Sequence, residues 1–283
     1  MVKIGLDFPR PDRNDYMRFV EDLSHELNEK LPSSVGCLLY GSYVVGLARY
    51  GQSSIDILFT FPGSVVIDKS ELRTASDIVG RVRRVKHVPF NPVVTDSATM
   101  RDGRFNPFSP RYAGYFDKEC RLISGEDYRG LFRFETCDHT EQDALRRTLV
   151  LSRRTLLLHD YYLGNGAEIL PLDKSLYIEY LNSFDRALEE ISRSSERIIS
   201  MADGGFRYHD RFAGIDLIPK YFSDINVTPL SMIQNLFIDT RKLDSLYRDT
   251  EMMRSVLESS VDFLESLIEA FIRKKPNDEL PPF

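Results

Sequence analysis

Between residues 39 and 58 the chain reads LYGSYVVGLARYGQSSIDIL. Glycine at position 41 lets a phosphate-sized anion approach the backbone, and Ser42 adds a hydroxyl donor. If the chain passes here from a strand into a helix, free N–H groups and the positive end of the dipole complete an anion site. Asp56 then interrupts a second apolar run, where a carboxylate needs a partner or an ion. The chemistry these residues suggest is that of a phosphorylated ligand facing a carboxylate. A Gly-Ser pair is also an ordinary capped turn, so its meaning depends on the elements around it.

Those elements can be read from the pattern of apolar residues. Tyr16, Phe19, Val20, Leu23 and Leu27 recur at helical spacing and predict an amphipathic helix over 14–31. Short apolar runs bounded by turn residues predict strands at 35–40, 55–61 and 91–96, with another near 121–124. Leu72, Ala75, Ile78, Val79 and Val82 predict a helix over 69–85 whose basic last turn suits the dipole. Residues 97–136 show no sustained period. From 139 onward the pattern is helical throughout, with helices expected at 139–163, 174–201, near 209–222, 229–248 and 250–274. The expectation is an α/β domain over 1–135, a small mixed sheet with flanking helices, followed by an all-α helical bundle domain over 136–283.

The chain has 283 residues, 42% hydrophobic and 28% charged, which excludes collagenous and largely disordered classes. Its net charge is −6, and the two halves carry +1 and −7. That balance does not support a surface that coats nucleic acid. Cys37, Cys120 and Cys137 are too few and too scattered for a disulfide framework or a zinc site. With no apolar run at the amino terminus and none long enough to span a bilayer, a soluble cytoplasmic chain with no membrane partner is expected.

The run from Gly41 to Leu58 resembles the nucleotidyltransferase superfamily typified by DNA polymerase beta, especially its small prokaryotic and aminoglycoside-modifying members. Their hallmark is Gly-Ser, a spacer, then Asp-x-Asp on the next strand and a third Asp on a later one. The resemblance covers roughly residues 14–130 and implies the nucleotidyltransferase fold. It also implies Mg²⁺-dependent transfer of a nucleoside monophosphate from an NTP to a hydroxyl acceptor, with Gly41 and Ser42 binding the triphosphate and Asp56 binding metal. Two Mg²⁺ ions about 3.5–4 Å apart clamp such a displacement, held by bridging carboxylates. This chain departs from the family at two of the three carboxylates: Ser54 stands at the first position and Asn91 at the third. Asp96, on the same strand as Asn91, is an alternative metal ligand if the register differs. The catalytic candidates are therefore Asp56, Ser54 and Asn91, with Asp56 and Asp96 as metal candidates. The alternative is a catalytically inactive nucleotide- or protein-binding module on the same fold.

Other residues have simpler roles as alternatives. The cluster Arg81, Arg83, Arg84, Lys86 and His87 reads as a solvated helix end. Arg101, Arg104 and Arg111, interleaved with Phe105, Phe108 and Tyr112, could stack on a base, although such aromatics commonly pack loops. Arg154 and His159 share an Arg-x₄-His spacing that resembles the motif of HEPN ribonucleases, a spacing common by chance in helices. His139 and His209 have no ligand-spaced companions.

Overall fold

The short apolar runs bounded by turn residues form the sheet. In a computed structural model, described over residues 11–82, 88–108, 112–134, 140–163, 174–203 and 212–275, β1 (Gly36–Tyr40), β2 (Ile55–Phe61), β3 (Phe90–Asp96) and β4 (Arg121–Ser124) make one mixed sheet in the order β3-β2-β1-β4. β1 runs antiparallel to β2 and β4, while β2 and β3 are parallel. A parallel pair needs a crossover, which α2 (Lys69–Val82) supplies. Pro92 is tolerated in β3 because this is an edge strand. At the opposite edge, Ser24 and Asn28 of α1 (Arg13–Lys30) both donate to the Ile123 carbonyl of β4 (3.0 and 2.9 Å), which covers an otherwise open carbonyl.

Successive strand side chains point to opposite faces. Cys37, Leu39, Ile57, Phe59, Phe90 and Val94 join the main core with α1 and α2, whereas Leu38, Tyr40 and Leu58 join a second cluster with Met100, Phe108 and Phe116. Residues 97–108 and 112–134, where the sequence predicted only the strand near 121–124, fold over this second face. They contain α3 (Ser97–Asp102), α4 (Ala113–Lys118) and a 3₁₀ turn at Arg129–Leu131.

The remaining helices are α5 (Thr140–Leu157), α6 (His159–Leu163), α7 (Lys174–Ser192), α8 (Ser194–Asp203), α9 (Gly214–Tyr221), α10 (Thr228–Ile238), α11 (Thr240–Leu246) and α12 (Thr250–Lys274). Three long helices expected from periodicity are each divided. At the α7–α8 break Ser192 and Ser194 hydroxyls bond back to the Glu189 and Ile191 carbonyls (2.6 Å each), a competitor to helical continuation. Asp239 ends α10 and caps α11 through the Arg241 amide (3.1 Å). α5 and α6 part at Leu158, where α6 meets α2 so closely that a Cβ on Gly80 would lie 2.8 Å from the Asp160 Cβ.

The main core continues from the sheet through α5–α12 across the boundary expected at 135/136. Among the described residues no helix is long and apolar enough to cross a membrane.

Candidate functional site

Asp56, Ser54 and Asn91 converge at one end of the sheet. Asp56 pairs with Tyr40 on β1 and with Asn91 on β3, so the three side chains share the face that also carries Leu58 and Leu38. The Ser54 hydroxyl donates to Asp56 Oδ1 (2.7 Å), and the Asn91 Nδ2 donates to the same oxygen (2.8 Å). The other carboxylate oxygen lies over Gly41. A Cβ built there would sit 2.2 Å from Asp56 Oδ2, and the Gly41 φ of 83° is itself a glycine conformation. The sequence candidates Gly41, Ser54, Asp56 and Asn91 are therefore one site, with Ser42 next in the chain.

The linker from Gly41 to Ser54 is a series of turns rather than the helix start expected from the sequence. Val44 N–H donates to the Gly41 carbonyl (3.1 Å) and Leu47 N–H to that of Ser42 (2.8 Å). Gly46, with φ of 75°, takes the chain out of the helical conformation after a single turn. Tyr16 of α1 fixes the far side of this linker. Its hydroxyl donates to the Ser53 carbonyl (2.5 Å) and accepts the Gly51 N–H (3.1 Å), and its ring packs against Tyr43 and Tyr50.

Two tyrosines that the sequence reading did not single out close the site. Tyr115 of α4 accepts the Gly41 N–H at its hydroxyl (2.6 Å). Burial raises the Tyr115 phenol above its ordinary pKa against the pull of that N–H, and the Asp56 charge adds to the rise. Burial and the Asp56 charge likewise push Tyr40 well above the usual phenol range, with the Arg154 guanidinium acting in the opposite sense.

Asp96 is not part of this site. It lies on the opposite face of β3, five positions along, fully buried. It caps α3 through the Thr99 amide (2.7 Å) and pairs with Arg153 (2.8 Å). The metal role considered for Asp96 is thus corrected, because its oxygens are consumed by structure. The Mg²⁺ implied by the family resemblance does not fit the donor set. One carboxylate is present, and one of its oxygens already accepts two neutral donors where a bridging ion would need further anionic oxygens. Among the described residues no group of three or more His, Cys, Asp or Glu gathers as a metal site.

The remaining candidates separate. His159 is buried, with Nδ1 2.7 Å from the Tyr180 hydroxyl, and burial together with Arg254 depresses its pKa to about 3. That imidazole stays neutral and enclosed, unsuited to a ribonuclease base. Arg154 acts on Tyr40, in different surroundings from those of His159. Phe105 and Phe108 are core residues, and Arg104 pairs with Asp102 (2.8 Å) and lies over the Phe271 ring, so these side chains do not present a stacking platform. Arg81 pairs with Glu26 (3.1 Å). Arg83, Arg84, Lys86, His87, Arg111, Cys137, His139 and His209 lie outside the described residues.

No protein-family model matches the chain, and the search of curated proteins returned no match.

Proposed function

We propose that this chain is a nucleotide-binding module on a nucleotidyltransferase-like fold, holding a nucleoside triphosphate at Gly41 and Ser42 without two-metal nucleotidyl transfer. The sheet order, the glycine turn after β1 and the placement of Asp56 beside Asn91 support the fold assignment. The observation that carries the functional reading is the Asp56 carboxylate itself. Its Oδ1 is satisfied by Ser54 and Asn91, neutral groups at the two positions where the family resemblance implies further carboxylates.

Calorimetry with ATP and GTP, with and without Mg²⁺, tests the proposal. The expected outcome is binding that persists in EDTA, with no pyrophosphate released on addition of hydroxyl acceptors. Binding that requires Mg²⁺ and is followed by pyrophosphate release would make the chain a nucleotidyltransferase instead. The double substitution Ser54→Asp with Asn91→Asp probes the register directly. It places three carboxylates about one point, and such a cluster needs a cation, so Mg²⁺ binding should appear and should raise the thermal midpoint of the variant. Unchanged Mg²⁺ affinity would overturn the alignment of Ser54 and Asn91 with the family's carboxylate positions.

A further inference from the structure

We propose that Tyr115 gates this site: its hydroxyl occupies the Gly41 amide, and a phosphate oxygen reaches that amide only by displacing it. The inference rests on the reading of Gly41 as a phosphate contact and adds a residue distant in sequence. Tyr115 and Gly41 are 74 positions apart, yet their hydrogen bond, at 2.6 Å, is a short one.

The neighbouring residues show how α4 holds this contact. Phe116 is fully buried and packs on Tyr40 (5.8 Å between centroids), Phe108 (4.8 Å) and Phe132 (5.4 Å), anchoring α4 to the sheet. Tyr115, next in the chain, is only half-buried and turns its hydroxyl to the Gly41 turn. Its ring meets Tyr112 edge to face at 5.8 Å. One side chain of α4 is thus a core anchor, while the adjacent one is an exchangeable contact. The exchange needs a charged acceptor, strong enough to offset the Asp56 carboxylate that lies over Gly41. A backbone N–H bonds a charged phosphate oxygen about twice as strongly as a neutral hydroxyl, so a phosphorylated ligand can take the amide from Tyr115 whereas a neutral one gains nothing by the exchange. Tyr115 therefore sets specificity as well as access.

The test is titration of ATP in EDTA into the wild-type chain and Tyr115→Phe, with the Gly41 amide and the Tyr115 ring followed by NMR in the wild type. Phenylalanine keeps the ring packing and removes only the acceptor. The gate predicts about five- to tenfold tighter ATP binding in the variant, the value of one internal hydrogen bond no longer in competition. In the wild type, ATP should move the Gly41 amide and the Tyr115 ring signals together. Binding by the variant alone supports the gate and leaves the site assignment intact. Equal or weaker binding in the variant, with wild-type binding intact, overturns the gate while the nucleotide reading stands. Binding by neither protein overturns both. Wild-type binding that leaves the Tyr115 ring signals unmoved likewise removes the gate, whatever the fold of the variant.

Discussion

At the start of β3, Asn91 meets Asp56 in a half-buried setting with one carboxylate and two neutral donors; at its end, Asp96 is sealed inside a network of full charges. There Arg153 of α5 bonds Asp96 (2.8 Å), Glu265 of α12 (2.8 Å) and the Val65 carbonyl (2.5 Å), and Lys69 of α2 reaches Glu265 (2.6 Å) and Asp262 (2.7 Å). Asp96, Arg153 and Glu265 are all fully buried. Burial pushes the Glu265 carboxyl up, and Arg153 and Lys69 pull it back down. The charged end joins the sheet to α5 and α12, and its Asp96 and Glu265 carboxylates are sealed from a ligand. The charge-poor end has the exposed turn, the left-handed glycine and the exchangeable tyrosine. Ionic strength in this molecule marks architecture, and the weakly charged cluster marks the candidate site.

Removing one partner from the charged end should have the largest effect. Arg153→Met would leave two buried carboxylates without their common cation, and losing a partner from a buried ion pair costs about 3–5 kcal/mol. Urea denaturation should register a fall of that size, whereas Asn91→Ala, at the other end of the same strand, should cost far less. A loss below about 1 kcal/mol for Arg153→Met would place the buried network on a level with exposed pairs and dissolve the contrast.

The two ends also differ in how far the sequence discloses them. The three apolar strands and the position of Asn91 beside Asp56 follow from short apolar runs bounded by turn residues and from motif spacing, because both are local or nearly so. Nothing local links Tyr115 to Gly41. α4 has only six residues, too short to show a helical period, and it is held by aromatic packing across distant segments. Arg153 and Glu265 were equally hidden, since charged residues in an amphipathic helix ordinarily belong to its wet face, and only tertiary pairing turns them inward. The divided helices reflect the same limit. Apolar spacing resumes in phase at Ile198 after Ile191, a gap of seven residues, so it does not by itself mark a helix end; side chains that compete for backbone hydrogen bonds decide the boundary.

A second buried group should show itself through pH. Asp160 of α6 is pushed up to about 6 by burial and its hydrogen bond with Asp77, against the pull of Arg254 and of the Ser76 hydroxyl (2.9 Å). Adjacent His159 is pushed down to about 3 by burial, Arg254 and Arg73. The folded chain holds a proton on Asp160 more tightly than the unfolded chain does, so this contribution grows as pH falls from about 6 to about 4. His159 contributes above its unfolded value of about 6.5 and loses that contribution as pH falls towards 3. Between pH 6 and 4 the two oppose. In His159→Asn, which removes one of them, unfolding free energy should rise on acidification relative to wild type by on the order of 2 kcal/mol. Parallel pH profiles for the two proteins would mean that His159 takes up its proton without unfolding.

The smallest effect should come from the exposed counterpart of the buried network. Arg73 of α2 and Glu258 of α12 join the same two layers that Lys69 and Glu265 join, through paired contacts of 3.0 and 3.2 Å, but Arg73 is 44% exposed. Water and salt screen such a pair, and holding two long side chains in register costs conformational freedom. Arg73→Ala should therefore cost less than about 1 kcal/mol in dilute buffer, with most of that difference gone at about 1 M salt, where the screening length is only about 3 Å. The buried Arg153 pairing should be nearly indifferent to the same salt, because counterions do not enter its surroundings. A salt-insensitive loss of about 3 kcal/mol or more at Arg73 would show that the helical layer is held to the sheet at its rim as firmly as at its centre, and burial would no longer separate the two kinds of ion pair.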